Sequence, residues 1–450
     1  MPEPAAATAA SRPLAVVDGA AQDPGIVSCG SLRRAGFRVI GIDSLALPLG
    51  LRSRSCDALR WVDPDDGAAA GRLALLRHWR PDVYLPVGNR GMRFAVGHRQ
   101  ELEALTALLI PSEDGHRQAW NKRLCQLSCQ QLGIAVPAVF SPDQAREHLL
   151  ACPDRPLVVK PCWDAGAALG QWRLQRPDEL SEALERCRSG FGGPGLEPLI
   201  QEWVPGPATA MRSLLLGFDH HGGLIDAVAI RKRRQWPRQG GVTASARLCD
   251  DREIEELLAA VLPFFRHYRW RGPAEVEFKR EAGTNRPMLI EINPRLPAWL
   301  RYAVHCGFDL PQALAREALA ARASACGAAA TDGRSPAPGG LMAAPPRRWP
   351  QREGQRSAAG FSPRQQGYVQ PEAFLRSCLA EWREDPAAAC RHWQEPLRDL
   401  WAARDLLMVQ ATDPLPLLGR WLGQRWQPQH WQPQSNEGGL GSALPQGHGH

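Results

Sequence analysis

Apolar and polar positions follow two successive rhythms along the chain. Over residues 12–111, short apolar runs at 14–18 (LAVVD), 37–43 (FRVIGID) and 82–88 (DVYLPVG) are separated by stretches at 26–35 and 71–79 with a helical period. Strands alternating with helices predict a parallel sheet covered by helices, a Rossmann-like half. The turn after the first run, DGAAQDPG, lacks the G-x-G-x-x-G that cradles a dinucleotide pyrophosphate, which argues against such a site there. Asn89 and Arg90 follow the third run at its carboxyl end, where α/β sheets hold ligands, although capping the next helix is the plainer role for them.

Over 112–322 the strands lengthen and pair by alternation. A helical stretch up to Gly133 sets Trp120, Leu124, Leu127 and Leu132 on an apolar side with Lys122 off it. After a short strand (136–140) and a helix (144–150), the apolar run LVVK ends in Lys160, a small-residue loop spans 164–170, and QWRL returns. A hairpin with such a tip can fold its backbone N–H groups over phosphates, with Lys160 as an added point charge. The run LIQEWVPGPA ends its strand with Gln201, Glu202, Trp203 and Val204 at Pro205-Gly206-Pro207, which cannot continue a ladder. Backbone amides left open at such a stop suit an adenine edge; an ordinary edge strand with a turn is the alternative. Two further strands follow, the second ending in Arg231, Lys232, Arg233 and Arg234, and then an amphipathic helix at 251–265. Arg231 and Arg233 share a face by strand spacing and are candidates for holding an anionic substrate, against the plainer reading of a solvated charge run.

The stretch AEVEFKREAGTNRPMLIEINPR (274–295) organises the rest. Its alternation predicts two strands around a polar turn, with Glu275 and Glu277 on one face of the first and Glu291 and Asn293 on one face of the second. A hairpin joining these faces would gather Glu277, Glu291 and Asn293. Like charges that close are costly unless a cation lies between them, and hard oxygen donors of this kind suit Mg²⁺, or Mn²⁺, with nucleotide phosphates completing the shell. Arg295 would reach the same face and could hold phosphate. An exposed hairpin with solvated acids is the alternative if the rest of the chain supplies no nucleotide pocket.

A helix is expected at 311–322. Residues 323–367, rich in Ala, Gly, Pro, Arg and Gln, read as linker, 371–394 and 397–409 as helical, and the end of the chain as a disordered tail in which His448 and His450 have no role. The length of 450 residues allows two or three domains, and 44% hydrophobic against 22% charged residues is the balance of a soluble globular protein. No apolar run approaches a membrane span and no secretory leader is evident, so a cytoplasmic protein is expected, with no membrane partner. The net charge of +7 fits an anionic small substrate as well as nucleic acid. The Arg-rich segment 347–364 has only Trp349 and Phe361 as stacking aromatics, so no nucleic-acid partner is expected. Twelve cysteines without a CxxC pair read as reduced, packed thiols.

VVKP with its small-residue hairpin, QEWVPG and VEFK…IEINPR stand in fixed order, and together they resemble the ATP-grasp superfamily, with the closest look to its carbamoyl-phosphate-synthetase-like branch. The resemblance covers roughly residues 12–322. It implies a mixed α/β and α+β architecture: a Rossmann-like pre-ATP-grasp domain (12–111), a two-subdomain ATP-grasp domain (112–322) and a helical C-terminal extension with a disordered tail (323–450). It further implies that Lys122 and Lys160 touch phosphate and that the loop with Gly166 and Gly170 is the phosphate lid. Gln201, Glu202, Trp203 and Val204 would form the adenine hinge, Glu277, Glu291 and Asn293 the Mg²⁺ ligands, and Arg295 would steady an acyl-phosphate. The implied activity is ADP-forming carboxylate–amine ligation on small-molecule or peptide substrates, with a homodimer left open. A bicarbonate-activating carboxylase and a non-catalytic nucleotide-binding scaffold are the rivals. Three positions depart from the family pattern: Ala stands in the lid DAGAALG where Ser or Thr is common, Ala208-Thr209 where a ribose-holding acid is common, and LPAWL follows EINPR.

Overall fold

The computed structural model describes residues 12–44, 54–62, 68–163, 170–191, 197–238, 240–329 and 367–404, together with residue 407. The N-terminal unit runs β1 (Leu14–Asp18), α1 (Asp23–Arg34), β2 (Arg38–Asp43), β3 (Ala58–Trp61), α2 (Ala68–Trp79), β4 (Val83–Pro86), α3 (Asn89–Gly97) and α4 (Arg99–Leu105). Its four strands lie in the order β3-β2-β1-β4, all parallel, as the strand–helix alternation predicts. Every residue of β1 is buried, which is why the run reads as continuously apolar. The exception is Asp18, which accepts from Arg72 Nε at 2.8 Å and from the Tyr84 hydroxyl at 2.6 Å.

Helices α5 (Glu113–Trp120), α6 (Lys122–Gln131) and α7 (Pro142–Ala151) lead into β5 (Leu157–Lys160), β6 (Trp172–Leu174), α8 (Glu179–Phe191) and β7 (Leu199–Glu202). Ser112 and Asn121 cap α5 and α6, and Ser141 with Gln144 forms a capping box on α7. The three strands form a small antiparallel sheet in the order β6-β5-β7. Leu157 and Val159 turn into a core with Leu149, Leu180 and Leu184 from the covering helices, so Val158 and Lys160 take the other face.

The central sheet is built from β8 (Met211–Phe218), β9 (Leu224–Trp236), β10 (Val242–Leu248), α9 (Asp251–His267), β11 (Gly272–Arg280) and β12 (Pro287–Asn293). Helices α10 (Leu300–His305) and α11 (Leu310–Ala329) follow, then β13 (Gly367–Val369), α12 (Pro371–Glu384), α13 (Pro386–Arg391) and α14 (Gln394–Ala402). The strand order is β12-β11-β8-β9-β10-β13. On one face Leu214, Leu216, Ala229, Val276 and Phe278 pack against Leu257, Val261, Phe264 and Phe265 of α9. On the other, Leu215, Val228, Ile230 and Ala246 pack against Leu300, Ala303 and Leu314. At a few tens of cal/mol per Å² of apolar surface removed from water, these two layers dominate the stability of the sheet. The N-terminal unit is tied to it by Arg301 on Asp23 (2.5 Å) and by Leu296 N–H donating to the Val87 carbonyl (3.3 Å).

Two expectations change. Helix α11 continues past Arg322 to Ala329, because ASACGAA carries helix-favouring alanines beyond the predicted stop. Within the segment read as linker, Gly367 and its neighbours form β13, which pairs with β10, whereas 330–366 lie outside the described residues, as do His448, His450 and the rest of the chain end. Among the described residues no helix is long and apolar enough to cross a membrane.

Removing one partner of a buried pair strands the other's charge, so Arg72→Met, which leaves Asp18 buried, is expected to cost about 3–5 kcal/mol of stability. Urea denaturation of variant against wild type measures it; a cost within error of zero would contradict this account of the pair.

Candidate active site

The β11–β12 hairpin forms with Glu277 directly opposite Glu291 and Glu275 opposite Asn293. A bulge at Ile290 interrupts the ladder beside Glu291, and the Ile290 carbonyl accepts from Gln126 Nε2 of α6 at 2.8 Å. The two opposed carboxylates are each met by a lysine: Lys232 Nζ lies 3.0 Å from Glu277 Oε1 and Lys122 Nζ 2.5 Å from Glu291 Oε2. Asn293 Nδ2 donates to Glu291 Oε1 at 3.2 Å. Glu275 is held by Ser213 Oγ (2.7 Å), Trp299 Nε1 (3.1 Å) and Arg295 Nη1 (2.9 Å), so Arg295 is fixed at the edge of the acid pair by a neighbouring carboxylate.

The electrostatics of the pair are unequal. Burial lifts the carboxyl of Glu277 above its ordinary range, with Lys232 opposing and Glu291 and Glu275 adding to the rise. Burial acts on Glu291 in the same sense, but the charge and hydrogen bond of Lys122, the charge of Lys160 and the Asn293 amide outweigh it and bring Glu291 down to about 2. Burial, and next the charge of Lys122, lowers Lys160 to about 8 against the pull of Glu291 and Glu277. Lys279 is likewise lowered to about 8, by burial and then by Arg173 and Lys232.

Lys122, Lys160, Lys232 and Lys279 are the only lysines among 54 basic residues. All four feel one another or the acid pair. This concentration is a signal the sequence holds openly, and it would have found Lys232 and Lys279, which motif reading missed. The strand EVEFK also puts Glu275, Glu277 and Lys279 on one face.

The small sheet supplies the opposing wall. Pairing of Val158 with Gln201 and of Lys160 with Leu199 puts Gln201 and Lys160 on one face. Gln201 is 1% exposed, and neither atom of its amide has a hydrogen-bond partner among the described residues. Trp203 is held between two cations, Arg173 of β6 at 5.4 Å and Lys279 of β11 at 5.1 Å from the ring centre. The end of β5 is lashed to α5 and α6 by Lys122 N–H on the Cys162 carbonyl (2.6 Å) and by Trp163, whose ring lies parallel to that of Trp120.

Several expected placements are corrected. Glu202 turns to Arg155 (2.6 Å), and the backbone N–H groups of Glu202 and Trp203 are committed to the carbonyls of Ala138 and Pro156, because β7 continues its pairing to that point. Of the hinge residues named from sequence, Val204 supplies the first amide beyond those bonds. Arg231 and Arg233 do not face the acid pair: Arg231 is exposed and pairs across the ladder with Arg212 on the α9 face, and Arg233 is bonded to Asp399 at 2.6 Å. Lys232 is the residue of that run that meets Glu277. Gly166 lies outside the described residues, with the rest of 164–169, whereas Gly170 is described and adopts φ +73°, a left-handed conformation that favours glycine.

The residues present suit a divalent ion shared with phosphates. Among the described residues no group of three or more His, Cys, Asp and Glu side chains could hold a metal by itself. Two opposed carboxylates and an amide instead make the partial, all-oxygen set that Mg²⁺ takes when nucleotide phosphates complete its shell.

No family model matches the chain. Solved structures do. A 2-oxoglutarate carboxylase biotin carboxylase domain dimer from Hydrogenobacter thermophilus, in complex with MgADP, ADP and bicarbonate, matches with TM-score 0.55 at 13% identity, over 69% of this chain and 70% of that one. An N5-carboxyaminoimidazole synthetase from Staphylococcus aureus complexed with ADP matches with TM-score 0.52 at 13% identity, over 68% and 77%. An L-amino acid ligase from Bacillus licheniformis matches with TM-score 0.52 at 16% identity, over 69% and 75%. These are ATP-grasp proteins. The chain has the ATP-grasp fold. The parallel N-terminal sheet, the small lysine-bearing sheet and the acid-bearing central sheet are the ATP-grasp architecture with its preceding domain, and the helical C-terminal part is the expected extension.

With so few lysines, titration is directly readable. After reductive ¹³C-methylation, the Lys160 and Lys279 signals are expected to titrate near pH 8, far below the ordinary 10.5. Because these amines shed protons on folding, the unfolded chain binds more protons between about 8 and 10.5, and these two groups raise stability as pH climbs through that window. Signals titrating together above pH 10 would contradict the burial described.

Proposed function

We propose that the chain is an ADP-forming ligase that activates a carboxylate with Mg-ATP and transfers it to an amine. The observation that carries this reading is the opposed pair Glu277 and Glu291, met by Lys232 and Lys122, with Lys160 within electrostatic reach and Lys279 beside these lysines. Phosphoryl transfer requires positioning and charge neutralisation more than a side-chain base, and these residues supply both. The unpaired amide of Gln201, buried in the wall opposite, fits the edge of a bound base.

In this reading Glu277, Glu291 and Asn293 would hold Mg²⁺, which would supply neutralising charge to the nucleotide phosphates. Lys122 and Lys160 shift their attention from the acids to the phosphates as the nucleotide enters, and Val204 offers the hinge amide. A substrate carboxylate oxygen attacks the γ-phosphorus, forming an acyl-phosphate as the bond to the departing ADP breaks. Arg295, fixed by Glu275, stands where the acyl-phosphate oxygens gather charge. The amine nitrogen then attacks the acyl carbon, the C–N bond forms, and inorganic phosphate leaves while the nitrogen gives up a proton. Amino acids, peptides and other small carboxylates and amines are the substrate classes in view, and Mn²⁺ would serve the same oxygen set.

The test is ADP release with Mg-ATP and pooled carboxylates and amines. Glu277→Gln and Glu291→Gln are each expected to reduce it by roughly a hundredfold or more, the scale of losing a principal electrostatic contact in the transition state. Unchanged release in both variants would sink the assignment, and stimulation by bicarbonate alone would redirect it to carboxylation. As Lys160 loses its charge above about pH 8, Mg-ADP affinity measured by calorimetry is expected to fall as pH rises through that value.

A further inference from the structure

We infer that the C-terminal module, residues 367–404, belongs to the site at one remove: Asp399 and Gln370 hold the double bulge immediately beyond Lys232 and so steady the strand from which Lys232 reaches Glu277. The ladder between β9 and β10 runs Thr243 to Gln235, Ser245 to Arg234 and Ala246 to Lys232, so Ala244 is extra in one strand and Arg233 in the other. In an unbroken strand, neighbours face opposite ways. Here consecutive Arg233 and Arg234 both reach Asp399, at 2.6 and 3.8 Å, which only the bulge allows.

The module grips each part of this irregularity. Gln370 N–H donates to the carbonyl of the extra Ala244 at 2.9 Å, and Ser245 Oγ donates to Asp399 Oδ2 at 2.8 Å. Glu381 of α12 takes Arg234 Nη1 at 2.5 Å. Asp399 is itself only 2% exposed, so its charge is fully committed to this cluster. Pairing of β9 with β8 ends at Arg231, and beyond it β9 has only the bulged ladder on its other side. Lys232 sits at that junction, 1% exposed, reaching Glu277 and, at 3.3 Å, the Gly241 carbonyl. Alternation with Ile230 sets the face that Lys232 takes, and the firmness of its placement depends on contacts contributed by a part of the chain more than a hundred residues later. Asp399 is a positioning residue, acting on the acid pair through Lys232.

The consequence for ligation rests on the proposed function, but the geometry can be tested without it. Native full-length protein is labelled with an amine-reactive reagent and each of the four lysines is read by mass spectrometry. Asp399→Asn is expected to raise the labelling rate of Lys232 roughly tenfold, with Lys122 and Lys160 unchanged, the scale of coupling between residues of one network. Ser245→Ala, a milder cut at the same contact, is expected to raise it about twofold and decides the matter if Asp399→Asn does not fold. Unchanged Lys232 labelling in the folded variants, or a rise shared by all four lysines, overturns the inference. In the second arm, Asp399→Asn weakens Mg-ADP binding and Lys232→Met does so too, while the double variant is no weaker than Lys232→Met alone; additive losses overturn the route through Lys232. If wild type binds no Mg-ADP, the ligase reading falls while the labelling result still decides the positioning role.

Discussion

Two carboxylates opposed in a β-ladder, away from bulk water, set the terms for everything around them. Unit charges a few ångströms apart at an effective dielectric of about 20 repel by roughly 4 kcal/mol, and the fold must answer that repulsion. It does so with ammonium groups, one on each acid and a third, that of Lys160, within reach of both. The answer is provisional by design, since compact, strongly hydrated ammonium groups can exchange a carboxylate for a phosphate as a ligand arrives. A cleft that is electrostatically balanced when empty can then be balanced again when filled.

Arginine does the opposite work. Buried or bridging guanidinium groups join Asp18 to α2, Asp23 to α10, Glu253 to both β8 and β11, and Glu381 to β9. A planar fork that is always charged suits fixed, multi-point bonding to carboxylates, whereas lysine keeps its rotational freedom and a pKa that burial can move. The chain has divided its cations by physical character: every lysine lies at the cleft, and most of the buried arginines serve the scaffold, with Arg295 and Arg173 reaching the cleft.

Much of this was legible in the sequence. Alternation in EVEFK and IEIN determined which acids share a face, and a hairpin of that polarity allows few registers. The βαβ rhythm of the N-terminal unit and the position of Lys160 at a strand end were equally plain. What escaped is of one kind. The bulges at Ile290, Ala244 and Arg233 each break period-two counting, whereas Lys232 stays in phase with Val228 and Ile230 and takes the inward position, with Arg231 on the α9 face; alternation in the run RKRR does not by itself say which face is inward. Similarly, the backbone amides at Glu202 and Trp203 are consumed by Ala138, in the loop before α7, and by Pro156, just ahead of β5, a pairing that no local pattern announces. β13 is three residues long and lies within a stretch whose composition favours loops, and only its docking partner makes it a strand.

That short strand has a bearing on how the chain keeps to itself. A central sheet has two open flanks; one is β12, which begins at Pro287 and so offers one donor fewer, and the other would be β10. Three residues of β13 cover β10 from Arg247 to Ser245, with Tyr368 seated near Tyr302 beneath. A chain shortened ahead of Gly367 would present that row of amides and carbonyls to any extended segment nearby and would stick to its own kind, besides losing the contacts of Gln370 and Asp399.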